Sequence, residues 1–211
     1  CVIFLRKMVL DIRTNTQNRL IDIATPLFAI KGYAAVSVRE VTDAADINVS
    51  AISYHFNGKE GLYQAVLEEQ LSPLLEAVDH VKSNSSLSPE QRLTFYAERV
   101  ANIHSCRPYL SRFMISESMN PTAYGGPIIE CHLSQVYQFI NGALQMGMKD
   151  GTFQTGVDIK YAAVALTGIL NFYFIAKPML QRLHVIDEDN EDEFQYTADA
   201  FRIYLEGIVK K

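Results

Sequence analysis

Apolar side chains recur along this chain at three- and four-residue intervals, and every segment reads as helix. Leu20, Ile23, Ala24, Leu27 and Phe28 fill the i, i+3, i+4, i+7, i+8 stripe of a first amphipathic helix, with Gly32 as its stop. Pro26 falls inside that helix. It removes one hydrogen bond and crowds the carbonyl four residues back, so a kink is expected at a penalty of roughly 3 kcal/mol. Val38, Val41, Ala44 and Ala45 mark a short second helix. Asp46-Ile47-Asn48 then form a turn, with Asn48 placed to cap the next helix by accepting from an unpaired amide. That third helix, Val49 to about His55, offers Val49, Ser50, Ser53 and Tyr54 outward, whereas Ala51 and Ile52 are small or apolar enough to pack inward.

A long helix is expected from about Lys59 to Lys82, with Leu62, Val66, Leu67, Leu71, Leu74, Leu75 and Val78 on its apolar face and Pro73 as a possible bend. Residues 83–89 are a serine-rich linker. Ser88, Pro89 and Glu90 supply an N-cap, a proline at the first helical position and an acid in the first turn. Further helices follow at about 90–104, 107–118, 125–150, 158–181 and 190–209, with Asp158 as a cap. The fold class is therefore all-α: a three-helix head over residues 14–60 and a bundle of about six helices over 61–211, after an N-terminal extension of 1–13. Met8 is a candidate natural start. Two short helices joined by a tight turn outline a helix-turn-helix, whose second helix enters the major groove of DNA.

The landmarks from residue 18 to 64 resemble the TetR family of transcriptional regulators. They are Leu27-Phe28 followed by Gly32-Tyr33, then the helix-turn-helix, then His55-Phe56-Asn57-Gly58-Lys59-Glu60-Gly61-Leu62-Tyr63. The family usually has Gly in the turn where this chain has Asp46, a residue that tolerates the left-handed backbone better than most. The family usually has Tyr where this chain has Ser53, with the aromatic shifted to Tyr54. The Tyr54-His55-Phe56 exit and Glu117-Ser-Met-Asn-Pro121 are similar to a branch sometimes described as CerR-like.

The resemblance implies DNA-binding positions. Ser37 would start the supporting helix facing a phosphate, and Arg39 would reach a guanine edge or a phosphate. Val49, Ser50, Ala51 and Ser53 would face the groove, Tyr54 and His55 would meet the backbone, and Lys59 would contact phosphate. Each has a plainer alternative: Arg39 could pair with Asp43, Lys59 could be solvated, and His55 could fasten the exit turn. With few long polar base readers, shape and methyl contacts should contribute much of the specificity. The resemblance further implies a ligand-responsive regulator, most often a repressor. It would bind a near-palindromic operator as a homodimer and be released by a small molecule held in the C-terminal domain. Phe113, Met114, Glu117, Tyr137, Asn171 and Phe172 are the candidate effector-binding residues.

Charge agrees in direction. Residues 1–60 carry seven Lys/Arg against six Asp/Glu, and residues 61–211 carry twelve against eighteen, within a formal net charge of −5. A slightly basic head on an acidic body suits a protein that touches phosphates with one end. Three cysteines suggest no disulfide framework and a reducing, cytoplasmic compartment. Apolar stretches broken before 18 residues predict no membrane-spanning helix. His104-Ser-Cys106 and Cys131-His132 lack zinc spacing, and the acidic run 187–193 lacks the glycine of a calcium loop, so neither a metal nor a cofactor is expected. No phosphate-cradling loop, nucleophile elbow or HExxH occurs, so the chain is not expected to be an enzyme. The rival class is a helical small-molecule-binding or interaction protein without DNA binding.

Overall fold

The structure, a computed structural model, describes residues 15–186 and 193–209. The N-terminal extension, the candidate start at Met8 and all but the last residue of the acidic run lie outside the described residues. Nine α-helices occur among the described residues: α1 Asn15–Lys31, α2 Val38–Ala45, α3 Ser50–Phe56, α4 Lys59–Ser83, α5 Pro89–Cys106, α6 Leu110–Met119, α7 Gly126–Asp150, α8 Ile159–Arg182 and α9 Glu193–Ile208. The architecture is all-α, as the periodicity predicts. Two of the expected caps form in the body: Ser88 and Gln91 close a reciprocal capping box on α5, and Asp158 accepts from the Lys160 amide at 2.8 Å.

The chain divides into two compact units that interleave in sequence. One holds the described residues up to Glu69 together with Ile115–Ile128; the other holds Gln70–Met114 and the described residues from Ile129 onward. The boundaries fall inside α4, α6 and α7. In the first unit α1 buries Leu20, Ile21, Ala24 and Phe28, α2 buries Val41 and Ala45, α3 buries Ile52, and α4 buries Leu62, Tyr63, Val66 and Leu67. These are the inward positions of the 3.6-residue pattern. Phe56 is half-buried.

Segment 115–128 completes this unit through a buried carboxylate. Glu117, 2% exposed, accepts from the Tyr63 hydroxyl at 2.5 Å, the Thr122 amide at 2.8 Å and the Thr122 hydroxyl at 3.1 Å. Thr122 Oγ1 in turn accepts from the Gly125 amide at 2.9 Å. A Cβ on Gly125 would lie 2.5 Å from the Glu117 carboxyl carbon, so the close approach requires glycine there.

In the second unit α5, α8 and α9 pack together. Leu93, Ala97 and Val100 meet the buried faces that carry Leu166, Leu170 and Tyr173 on α8 and Phe201, Tyr204 and Ile208 on α9. The Tyr204 hydroxyl donates to the Ala162 carbonyl at 3.0 Å and the Tyr196 hydroxyl to the Ile169 carbonyl at 3.0 Å, tying α9 to α8.

Helix α8 corrects one expectation. By length and composition it could cross a membrane, with mean hydropathy 1.5 over its most apolar window. Two of its polar side chains are satisfied within the helix: Thr167 donates its hydroxyl to the Ala163 carbonyl and Asn171 its amide to the Thr167 carbonyl.

Candidate nucleic-acid interface

The turn between α2 and α3 is built by local chemistry. Ser37 caps α2, its hydroxyl accepting from the Glu40 amide at 3.1 Å. Asp46 ends α2 in the left-handed region at φ 51°, the conformation in which Asp is among the least disfavoured non-glycine residues. Asn48 Oδ1 accepts from the Ser50 amide at 2.9 Å and the Ser50 hydroxyl at 2.8 Å, so it caps the first turn of α3 as its sequence position predicts. Asn57, at φ 60°, ends α3 with its amide donating to the Ser53 carbonyl at 3.1 Å.

Ile52 anchors α3 inward at 0% exposed, and the opposite side stays open. Val49 is 53% exposed and Tyr54 85%, while Ser50 and Ser53 are exposed and Ala51 is half-buried. The open side of α3 is thus the side read as groove-facing. Arg39 is exposed on α2, and among the described residues its side chain forms no ion pair with Asp43. His55 is half-buried between its neighbours, its ring centroid 4.8 Å from Tyr54 and 6.3 Å from Phe56.

Lys59 opens α4 against a surface that the sequence did not reveal. Its ammonium lies 4.4 Å from the centroid of the Tyr33 ring and donates to the Ala34 carbonyl at 3.4 Å. Tyr33 donates its hydroxyl to Glu60 at 3.2 Å. Burial, with that carboxylate beside it, pushes the Tyr33 phenol up to about 12. The Tyr33 ring also lies 5.0 Å from Tyr63 and 5.4 Å from Tyr124, so Lys59 stands on an aromatic cluster fastened by Glu117. Burial, then the Glu117 hydrogen bond, also raises the Tyr63 phenol. Gly61 explains the close turn into α4: a Cβ there would meet the Phe56 carbonyl oxygen at 1.8 Å. Gly61 and Glu117 are the structural supports that spacing alone did not single out for the interface.

Residues 20–66 match the family model for bacterial regulatory proteins of the tetR family. The chain is 33% identical over 200 residues to the "Probable HTH-type transcriptional regulator YttP" of Bacillus subtilis (strain 168), covering 94% of this chain and 96% of that protein. This chain belongs to the TetR family. As a TetR-family regulator it is also 24% identical over 163 residues to the HTH-type transcriptional repressor KstR2 of Rhodococcus jostii (strain RHA1), over 71% of this chain and 74% of that one. A solved bacterial regulatory protein in the tetR family from Rhodococcus RHA1 superposes with a TM-score of 0.77 at 20% identity, covering 94% of this chain and all of that one. The TetR family is one of helix-turn-helix transcriptional regulators, and that is the function of this chain.

The effector-binding candidates of this TetR regulator fall in different settings. Glu117 belongs to the head unit, where its carboxylate is engaged as described. Phe113 is buried in the second unit at 2% exposed, Met114 and Tyr137 are half-buried, and Phe172 is 58% exposed on α8. Asn171 is half-buried, and its Oδ1 accepts at 2.9 Å from Nε2 of the buried His104, whose ring stacks on Phe174 at 4.1 Å. Asn171 is thus brought together with His104, whereas its neighbour Phe172 is exposed on the same helix.

Proposed function

We propose that this regulator binds a near-palindromic operator as a homodimer and is released when a small molecule occupies its second unit. The observation that carries the DNA contact is the open side of α3, where Val49, Ser50, Ser53 and Tyr54 project around a buried Ile52. Arg39 and Lys59 flank it as phosphate or guanine contacts, and Ser37 offers the start of α2 to a phosphate. With so few long polar side chains on α3, groove shape and thymine methyls supply much of the specificity.

The pairing of two chains is supported by α8. Tyr161, Ala165, Gly168, Phe172, Ile175 and Met179 alternate at intervals of four and three residues, and all six are exposed. That is the spacing of a coiled-coil seam, and a second copy is the simplest way to cover it. Gly168 has open space around it, which lets a partner helix approach closely. Ile203 on α9 is also exposed, at 64%. A twofold dimer presents two α3 helices to successive major grooves of one duplex.

An effector that binds the two states of the dimer unequally shifts it away from the operator-bound geometry. A protein with this role works where the DNA is, in the bacterial cytoplasm.

Gel-shift titration with the DNA upstream of its own gene tests the reading. Arg39→Ala and Lys59→Ala should each weaken binding about 5- to 50-fold, and Lys59→Ala should lower the slope of log K against log salt by about one. Wild-type affinity in both variants would remove these residues from the interface. No shift by the intact chain would leave the rival, a helical small-molecule-binding protein.

A further inference from the structure

A lysine that fixes itself on a phosphate loses rotamer freedom at the moment of contact, and a surface that already holds its ammonium removes part of that loss. The head carries two contrasting cases. Lys31, at the end of α1, pairs with the Glu40 carboxylate, and its charge is spent there. Lys59, at the start of α4, forms no ion pair among the described residues. Its ammonium instead stands 4.4 Å from the centroid of the Tyr33 ring and donates to the Ala34 carbonyl at 3.4 Å. An ammonium has three N–H donors. The ring and the carbonyl occupy at most two of them, so at least one is left for a further acceptor.

The ring that carries this charge is itself held. Its centroid lies 6.2 Å from that of Phe28, 5.0 Å from Tyr63 and 5.4 Å from Tyr124. Its hydroxyl donates to Glu60 Oε1 at 3.2 Å. Tyr33 therefore meets both of the first two residues of α4, the ammonium at its face and the carboxylate at its hydroxyl. Glu60 is the acid nearest to Lys59 in the chain, and the phenol engages it while the lysine charge stays unneutralised.

The position of the ammonium matters as much as its charge. Lys59 is half-buried, and the carbonyl it meets belongs to the exposed loop that leads into α2, three residues before the cap Ser37. The side chain is thus laid along the head instead of sweeping through solvent.

We infer that Tyr33 is a positioning residue for operator binding: its ring face holds the Lys59 ammonium ordered and unpaired, in place for a phosphate oxygen of the duplex. Tyr33 acts on DNA only through Lys59. This rests on the reading of Lys59 as a phosphate contact. The same ring also packs against Phe28, Tyr63 and Tyr124, so its loss has a structural consequence that a coupled measurement separates from the positional one.

Fluorescence anisotropy with labelled duplex from upstream of the gene provides that measurement on the full-length protein. Tyr33→Leu should weaken binding about three- to tenfold and lower the slope of log K against log salt, in the direction of Lys59→Ala. In the Lys59→Ala background Tyr33→Leu should change nothing further, and Tyr33→Phe, which keeps the ring face, should stay within about twofold of the wild type. An equal loss in both backgrounds, unchanged binding by Tyr33→Leu, or a Tyr33→Phe as weak as Tyr33→Leu would overturn the inference. A spectroscopic readout covers the case in which Tyr33→Leu does not fold. In the free wild type, the ε-methylene proton resonance of Lys59, assigned by its disappearance in Lys59→Ala, should lie upfield of the other lysines because the ring face shields it. An ordinary lysine position would overturn the inference equally. Failure of the wild type to bind the duplex would sink the regulatory reading, whereas a wild type that binds, with Lys59→Ala weakened and Tyr33→Leu not, would sink this inference alone.

Discussion

Asp46 and Glu117 show two ways a single residue sets the geometry of the head. Asp46 holds the left-handed bend of the helix-turn-helix at φ 51°, a conformation that glycine adopts without steric cost. Asp46→Gly should therefore raise the unfolding free energy in denaturant titrations, by up to about 1 kcal/mol, as relief of the bend outweighs the extra freedom of the unfolded chain. A fall in stability would mean that the Asp46 side chain contributes something beyond tolerance of the bend. The sequence reading anticipated Asp46, the caps Asn48, Ser88 and Asp158, and the buried Ile52. Glu117 was read as an effector-binding candidate and not as a structural clasp. Its partner Tyr63 lies 54 positions away, and no local spacing announces a pair so distant.

The helices were legible because 3.6-residue periodicity fixes both their existence and their buried sides. The limits of α4, α5, α7 and α8 lie close to those expected from prolines, caps and glycines. What periodicity does not give is the partner of each face. The join between α8 and α9 carries a titration of its own. The Tyr204 hydroxyl of α9 donates to the Ala162 carbonyl of α8 at 3.0 Å, and burial moves that phenol from its ordinary 10.0 up to about 12. A raised folded value means that the folded protein keeps a proton which the unfolded chain releases near pH 10. The stabilisation is complete below pH 10 and disappears as pH climbs through 12. Denaturant midpoints measured from pH 8 to 12 should fall more steeply for the wild type than for Tyr204→Phe; parallel curves would contradict the assignment.

At the scale of the whole molecule, the sequence reading placed the head and the body in consecutive segments, whereas the compact units interleave. Interleaving depends on contacts between residues far apart in the chain, which composition and linkers do not encode. The outward face of α8 has its effect at the same scale. Phe172→Asp puts a charge on that seam without touching the buried residues beneath it. Light scattering should find the variant monomeric at concentrations where the wild type is dimeric, and operator affinity should drop more than 100-fold, since one head loses the contacts of a second half-site. A Phe172→Asp protein that remained dimeric would place the pairing surface elsewhere.

The serine-rich linker at 83–89 looks like the natural place to cut this regulator into exchangeable parts, and the Glu117 clasp argues against it. A fragment ending there would keep α1 to α4 yet lack the carboxylate that engages Tyr63 and the Tyr124 ring beside Tyr33. Anyone grafting this reader onto a different sensor would have to transplant residues 115–128 along with it, or redesign the tyrosine pocket they leave behind.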